Sequence, residues 1–241
     1  MACLKINNIL AVQDYYKNVM IINPYRYKSG GEIPRNGLIA EWLYADGANL
    51  ADTSDEGNNH TLTNVGATFG TDRNGILNSS AQVGTGTGYL TAADNIDFQF
   101  GVNDSFSVFG IVNNTSNGSS VIYSKRGSQE CSFRIIAGGF LTITFVSGVV
   151  LVLTSTNSIG LSSYGVVGLI VDRINDKCYL VTNTNKEEFD ITGVLGLEAL
   201  ANNVQIGRRR TTLGAAHKQD TLRVYNRVIT DEEIIAFNAE L

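Results

Sequence analysis

Phe106-Ser107-Val108-Phe109-Gly110-Ile111-Val112 decides the fold. Phe106, Val108, Gly110 and Val112 fall on one face of an extended chain, and Phe109 and Ile111 on the other. Strict alternation with a β-branched and aromatic bias is the period of a strand, not of a helix. The same signature recurs on both sides. Upstream, Gly37 to Tyr44 places Leu38, Ala40, Trp42 and Tyr44 on one face, with Ile39, Glu41 and Leu43 on the other. Downstream, Phe133-Arg134-Ile135-Ile136 and Leu141-Thr142-Ile143-Thr144-Phe145 flank Ala137-Gly138-Gly139, a hairpin signal. Val149 to Thr154, Tyr164 to Asp172 and Lys177 to Thr182 continue the pattern, the last two joined by Arg173-Ile174-Asn175-Asp176. Val204 to Gly207 and Thr221 to Tyr225 are late strands. Many short strands with turns every 8–12 residues predict a β-sandwich or barrel.

Composition agrees. The 241 residues hold 25 Gly, 24 Asn and 20 Thr, only two Pro, and 17% charged side chains. A net charge of −5 with 43% hydrophobic residues excludes a disordered chain. It also excludes bulk electrostatic capture of nucleic acid or anionic membrane. No segment is apolar enough over enough length to insert in a bilayer; Phe140 to Leu153 is broken by Thr142, Thr144, Ser147 and Gly148. The N-terminus carries no signal-peptide pattern, since Asn7, Asn8, Gln13 and Asp14 interrupt its apolar stretch. Cys3, Cys131 and Cys178 are odd in number and lack a CxxC pair, which argues for a reducing folding compartment. His60 and His217 are the only histidines and lie far apart in sequence, which disfavours a His-rich metal site or a His-dependent triad.

Both prolines, Pro24 and Pro34, and four tyrosines fall before Gly37. The sequence therefore divides into an N-terminal arm, 1–36, and a sandwich domain, 37–241. In the arm, Ile9, Val12, Tyr16 and Val19 have helical spacing, and Asn23 to Gly31 is expected as extended chain into a loop. The arm either packs back on its own sandwich or docks onto a neighbouring subunit. At the other end, Thr230-Asp231-Glu232-Glu233 is a capping box, followed by an apolar stripe of Ile234, Phe237 and Leu241. It predicts a short helix, expected against a sheet edge.

The segment from Gly37 to Ser54, with its apolar-aromatic strand and small-residue loop, resembles the opening of laminin-G-like, concanavalin A-like domains. So do Glu56 to Thr63, Thr71 to Gly75 and Ser80 to Val83. Phe106 to Val112 resembles the family's central strand, and Ile122-Tyr123-Ser124-Lys125 the next. Asp220 to Ile234 resembles the closing strand and helix. The resemblance covers about 37–241. It implies an all-β fold, a jelly-roll sandwich of two curved antiparallel sheets with a short C-terminal helix, and no particular activity.

Glycan-cleaving relatives carry closely spaced acids on one strand, and glycoside hydrolysis with retention needs two carboxylates about 5–5.5 Å apart. No such strand is expected here. Asp52, Asp55 and Glu56 fall in a turn, Glu187-Glu188 in a loop, and Asp231 to Glu233 at a helix cap. Gly84-Thr85-Gly86-Thr87-Gly88 lacks the helix and Lys of a phosphate loop and is expected as a turn or bulge. The chain is accordingly expected not to be an enzyme.

A structural Ca²⁺ is the best hypothesis for site chemistry, through Asp46 beside Gly47 and Asp220 at the closing strand. In related domains an acid before the closing strand joins loop carbonyls around such an ion, and Asp220 matches that position. The alternative is that Asp220 caps a strand or pairs with Lys218 or Arg223. Arg208-Arg209-Arg210 is either an anion grip or a solvated strand end. Trp42 is expected in the core. A glycan site would draw on loop Asn, Asp and Tyr such as Tyr89, Asn113 or Asn117. The expected function is a structural or decorating component of a large assembly, a bacteriophage virion, with partner subunits engaged through 1–36. A carbohydrate-binding adhesin for cell-surface glycans is the alternative, and a degenerate glycan hydrolase a remote one.

Overall fold

The computed structural model describes residues 32–45, 49–54, 59–126, 129–147, 149–194 and 202–241. The arm expectations for residues 1–31 lie outside the described residues, as do Asp46, Asp55 and Glu56.

In chain order the strands are β1 (Leu38–Trp42), β2 (Thr63–Val65), β3 (Thr68–Gly70), β4 (Ser80–Val83), β5 (Tyr89–Ala92) and β6 (Phe106–Asn113). Then follow β7 (Ser120–Arg126), β8 (Glu130–Ile135), β9 (Phe140–Ser147), β10 (Val149–Ser158), β11 (Tyr164–Asp172) and β12 (Lys177–Thr182). The last are β13 (Asn185–Asp190), β14 (Val204–Ile206), β15 (Arg208–Arg209), β16 (Thr212–Leu213) and β17 (His217–Tyr225), before helix α1 (Asp231–Ala239). One sheet has eight strands in the order β13-β12-β11-β6-β17-β4-β3, with β1 also on β17; the other has seven, β10-β9-β8-β7-β14-β5-β2. Strand pairing within both sheets is antiparallel, so the expected two-sheet sandwich is the observed fold.

The main core lies between the sheets. Val108, Val167, Leu222 and Trp42 from the first sheet meet Tyr123, Phe133, Ile143 and Ile206 from the second. Trp42 is fully buried and its Nε1 donates to the His60 carbonyl at 2.7 Å, which satisfies its one donor. Cys131 and Cys178 are buried free thiols whose pKa values burial pushes up. Such thiols are unreactive.

Two expectations are corrected. Leu38 does not share a face with Ala40 and Trp42. A bulge between Leu38 and Ala40 shifts the register on β17, so Leu38 joins the opposite face of the sheet while Ile39 joins the main core. Second, α1 packs on the middle of a sheet rather than its edge. Phe237 stacks on Phe109 of β6 with centroids 4.6 Å apart, and meets Tyr225 of β17 edge-on at 6.1 Å. Phe109, Ile111, Val166, Ile170, Tyr225 and Ile234 thereby form a second core layer. This is why β6 is apolar on both faces. Gly168, opposite Phe109, leaves room for the ring: a Cβ there would lie 2.5 Å from it.

The capping box is present: Thr230 Oγ1 accepts from the Glu233 amide at 3.3 Å, and Glu233 Oε2 accepts from the Thr230 amide at 2.9 Å. The glycine-rich segment 84–88 is a tight turn as expected, with Gly84, Gly86 and Gly88 all at positive φ. A Cβ on Gly88 would come within 2.3 Å of the Val65 carbonyl oxygen.

Candidate binding site

A concavity of about 690 Å³ opens at the end of the sandwich where β6 begins. A volume of this size falls in the range of small-ligand sites. A short 3-10 turn, Ile96–Phe98, supplies Asp97 and is capped by Asn95, whose Oδ1 accepts from the Asp97 amide at 3.0 Å. The loop into β6 supplies Gln99, Asn103 and Asp104, the β11–β12 turn supplies Ile174, and the segment after β17 supplies Asn226. Phe100 forms part of the floor, stacked on Phe106 with centroids 4.2 Å apart.

Several of these groups are held in place. Asp104 Oδ2 accepts from the Gly101 amide at 2.7 Å, Gln99 Nε2 donates to Asp94 at 3.2 Å, and Asp97 pairs with His60 Nε2 at 3.0 Å. Arg227, on the rim, is engaged by Glu233 at 2.6 Å and by the Asn36 carbonyl at 2.7 Å. The groove therefore offers carboxylate and amide groups on fixed backbone beside exposed apolar surface at Ile174. Fixed acceptors and amide donors beside an apolar patch suit a polyhydroxylated ligand with C–H faces. Asp97 and Asp104 stand on a turn and a loop rather than at alternate positions of one strand, so they do not reproduce the paired acids of the glycan-cleaving relatives.

None of these groove residues was singled out from sequence as a binding group. The available signal was the run of Asp94, Asn95, Asp97, Gln99, Asn103 and Asp104 between two apolar strands. The three groups that were named lie elsewhere. Asn113 ends β6, about 24 Å from its start. Asn117 accepts from the Gly138 amide at 2.8 Å, and Tyr89 lies under the Arg208 guanidinium at 4.5 Å.

Asp220 is the extra residue of a bulge in β17, between Gln219 and Thr221. It is buried and ion-paired with the partly buried Arg73 rather than with Lys218 or Arg223. Arg73 Nε also donates to the Glu240 carbonyl at 2.7 Å. The neighbouring Arg223 sits between Glu41 and Glu240, at 2.8 and 2.7 Å. Burial alone would raise the Glu41 carboxyl; Arg223 and Arg35 outweigh it and hold it below its usual value. The space among these groups is only about 20 Å³. Among the described residues no group of three or more His, Cys, Asp and Glu is placed to hold a metal. Asp220 is thus engaged by a guanidinium, while Asp46, the other acid expected to bind calcium, lies outside the described residues.

Glu187 and Glu188 are not in a loop, as sequence suggested, but in edge strand β13. Glu187 accepts from the backbone amides of Thr156 and Asn157 at 2.7 and 2.8 Å, tying β13 to β10. Glu188 and Asp190 flank Lys177 at 3.3 and 3.9 Å.

No protein-family model matches the chain, and no curated protein sequence matches it. Solved structures do. The binding domain of Paraclostridial Mosquitocidal Protein 1 superposes with a TM-score of 0.69 at 14% identity, over 85% of this chain and 52% of that one. The binding domain of Botulinum Neurotoxin DC in complex with SialylT gives 0.66 at 15%, over 86% and 52%. A botulinum neurotoxin type C structure, described as dependent on two ganglioside molecules for cell entry, gives 0.62 at 15%, over 86% and 52%. The likeness is one of fold. The chain spans about half the length of each of these structures.

Proposed function

We propose that this chain is a non-enzymatic, adhesin-type binding module that takes a glycan in the groove at the start of β6. The observation that carries the reading is the groove itself, where Asp97, Asn103, Asp104 and Asn226 converge beside Phe100 and Ile174. The fold likeness to binding domains, one solved with SialylT and one tied to gangliosides, supports it. Those structures are about twice as long as this chain, and the groove is the reason to assign binding here. The bacteriophage setting expected from sequence finds no support in these likenesses, and an adhesin role is the reading they favour. Attachment through residues 1–36 to a larger particle belongs to the same proposal.

A glycan array with the full chain tests it. Binding is expected to a restricted set of oligosaccharides and to fall about tenfold in Asn103→Ala, the loss of one or two hydrogen bonds. Silence across a broad panel rejects the reading. Deleting residues 1–36 is expected to leave glycan binding intact and to abolish co-assembly with a partner; unchanged assembly removes the anchoring role.

A further inference from the structure

The outer face of the seven-stranded sheet carries a cationic cluster that the groove does not use. Arg209 and Arg210 converge on the two oxygens of Glu130: Arg209 Nε pairs with Oε1, and Arg210 reaches Oε2 at 3.2 Å. Arg126 stands 3.7 Å from Oε2. Glu130 is buried, its side chain 1% exposed. A fourth guanidinium, Arg134, borders the same space, yet its side-chain partners are neutral: Ser119 Oγ at 3.3 Å and Thr144 Oγ1 at 2.9 Å. Its Nε is buried with no partner among the described residues. Three guanidinium groups thus share one carboxylate and a fourth, Arg134, stands beside them with neutral partners, an excess of positive charge in a protein whose net charge is −5. Burial and the neighbouring Arg209 both depress the Arg134 pKa, as expected of a cation short of counter-charge.

Arg209 and Arg210 are partly exposed and both are paired to Glu130. They are carried over the sheet by the β15–β16 hairpin, and Arg210 is the first residue of its two-residue turn, with φ +60. That conformation favours glycine or asparagine, so an arginine there has a backbone cost. Beside the cluster lies a cleft of about 340 Å³, lined by Arg134, Arg209 and Arg210 with the hydroxyl-bearing Ser119 and Thr212. A water takes about 30 Å³ of liquid, so the space suits a sugar ring rather than a bare ion. Planar guanidinium forks bind carboxylate and sulfate oxygens in pairs, and the flanking hydroxyls suit ring hydroxyls.

We infer that this cleft is a second subsite, one that takes the carboxylate or sulfate group of an acidic glycan. The inference rests on the glycan-binding reading but places this subsite on a different surface from the groove. Arg134 and Arg210 grip the oxyanion while Glu130 holds Arg209 and Arg210 in position from below.

The test is calorimetric titration of the full chain with sialylated and sulfated oligosaccharides and with their neutral parents. Acidic glycans are expected to bind more tightly than the parents, in a salt-sensitive way, and the two acidic arms show whether carboxylate or sulfate is preferred. Arg210→Gln is expected to erase that advantage, a loss of at least about tenfold, the worth of one charge-assisted hydrogen bond. Neutral binding should be unchanged. Arg210 is 47% exposed, so the variant folds, and an unchanged melting midpoint verifies it. Arg210→Lys should recover part of the loss, because it restores charge without the fork. Equal affinity for acidic and neutral glycans overturns the inference and leaves the groove reading standing. So does Arg210→Gln binding acidic glycans as the parent chain does while Asn103→Ala loses them. No binding to any glycan overturns both readings. Binding only to phosphoinositide vesicles, lost in Arg210→Gln, replaces the sugar by a lipid headgroup and also overturns the inference.

Discussion

His217 opens β17 with its ring shut away from solvent, and burial pulls its pKa down to about 4. In the unfolded chain the same ring titrates near 6.5. Above pH 6.5 both states are neutral and nothing is lost. As pH falls from about 6.5 to 4 the unfolded chain takes up a proton that the folded chain resists, so stability drops. The full difference is about 3 kcal/mol. Denaturant midpoints measured between pH 7 and 4 should show this decline, and His217→Gln should flatten it by about one proton. An unchanged slope would mean that the ring is solvated. Arg223 illustrates the opposite kind of residue: its burial is matched by Glu41 and Glu240. Arg223→Met removes the guanidinium that Glu41 and Glu240 share, leaving Glu41 with Arg35 alone, and should cost about 3–5 kcal/mol in urea melts. The core placement of Trp42 was legible from alternation with its neighbours. The partners of Arg223 were not, because Glu41 lies 182 positions away.

Helix α1 was legible because capping is local: Thr230 and Glu233 are three residues apart and satisfy each other's backbone amides. Thr230→Ala should cost about 1 kcal/mol, read as a lowered thermal midpoint with little change elsewhere. Phe237→Ala should cost more, about 3–5 kcal/mol, because it empties the seat between Phe109 and Tyr225. The seat itself was not legible. A short apolar stripe says that a helix is covered, not by what, and only the antiparallel neighbours β6 and β17 decide that it caps the centre of a sheet. Strand β13 was missed for a related reason. Asn185-Lys186-Glu187-Glu188-Phe189-Asp190 has the charge of a loop, and it becomes a strand because β12 offers an edge and Glu187 binds the β10 backbone.

Over the whole molecule, calcium and glycan binding are questions about distant segments meeting. Asp220 lies in β17 and its guanidinium partner in the turn after β3, so chelation by itself should leave the structure unaltered. Melting with and without chelator is expected to give the same midpoint. A ligand bound only to the native state would raise it, so a fall on chelation would bring calcium back, through loops that include Asp46. The groove at the start of β6 and the arginine cleft on the outer sheet are likewise assembled from segments far apart in sequence.

By itself the sequence determined the class of fold, most of the long strands, several of the turns and the capped helix. Each of these depends on side-chain alternation, glycine or a hydroxyl within a few residues, and short-range sterics and hydrogen bonds do not wait for the rest of the chain. The tertiary structure alone decided the bulge that turns Leu38 over, the second core layer under α1, the arginine that claims Asp220, and both candidate sites. Those depend on which strands become neighbours, and that is set by burying two apolar faces at once rather than by any local pattern.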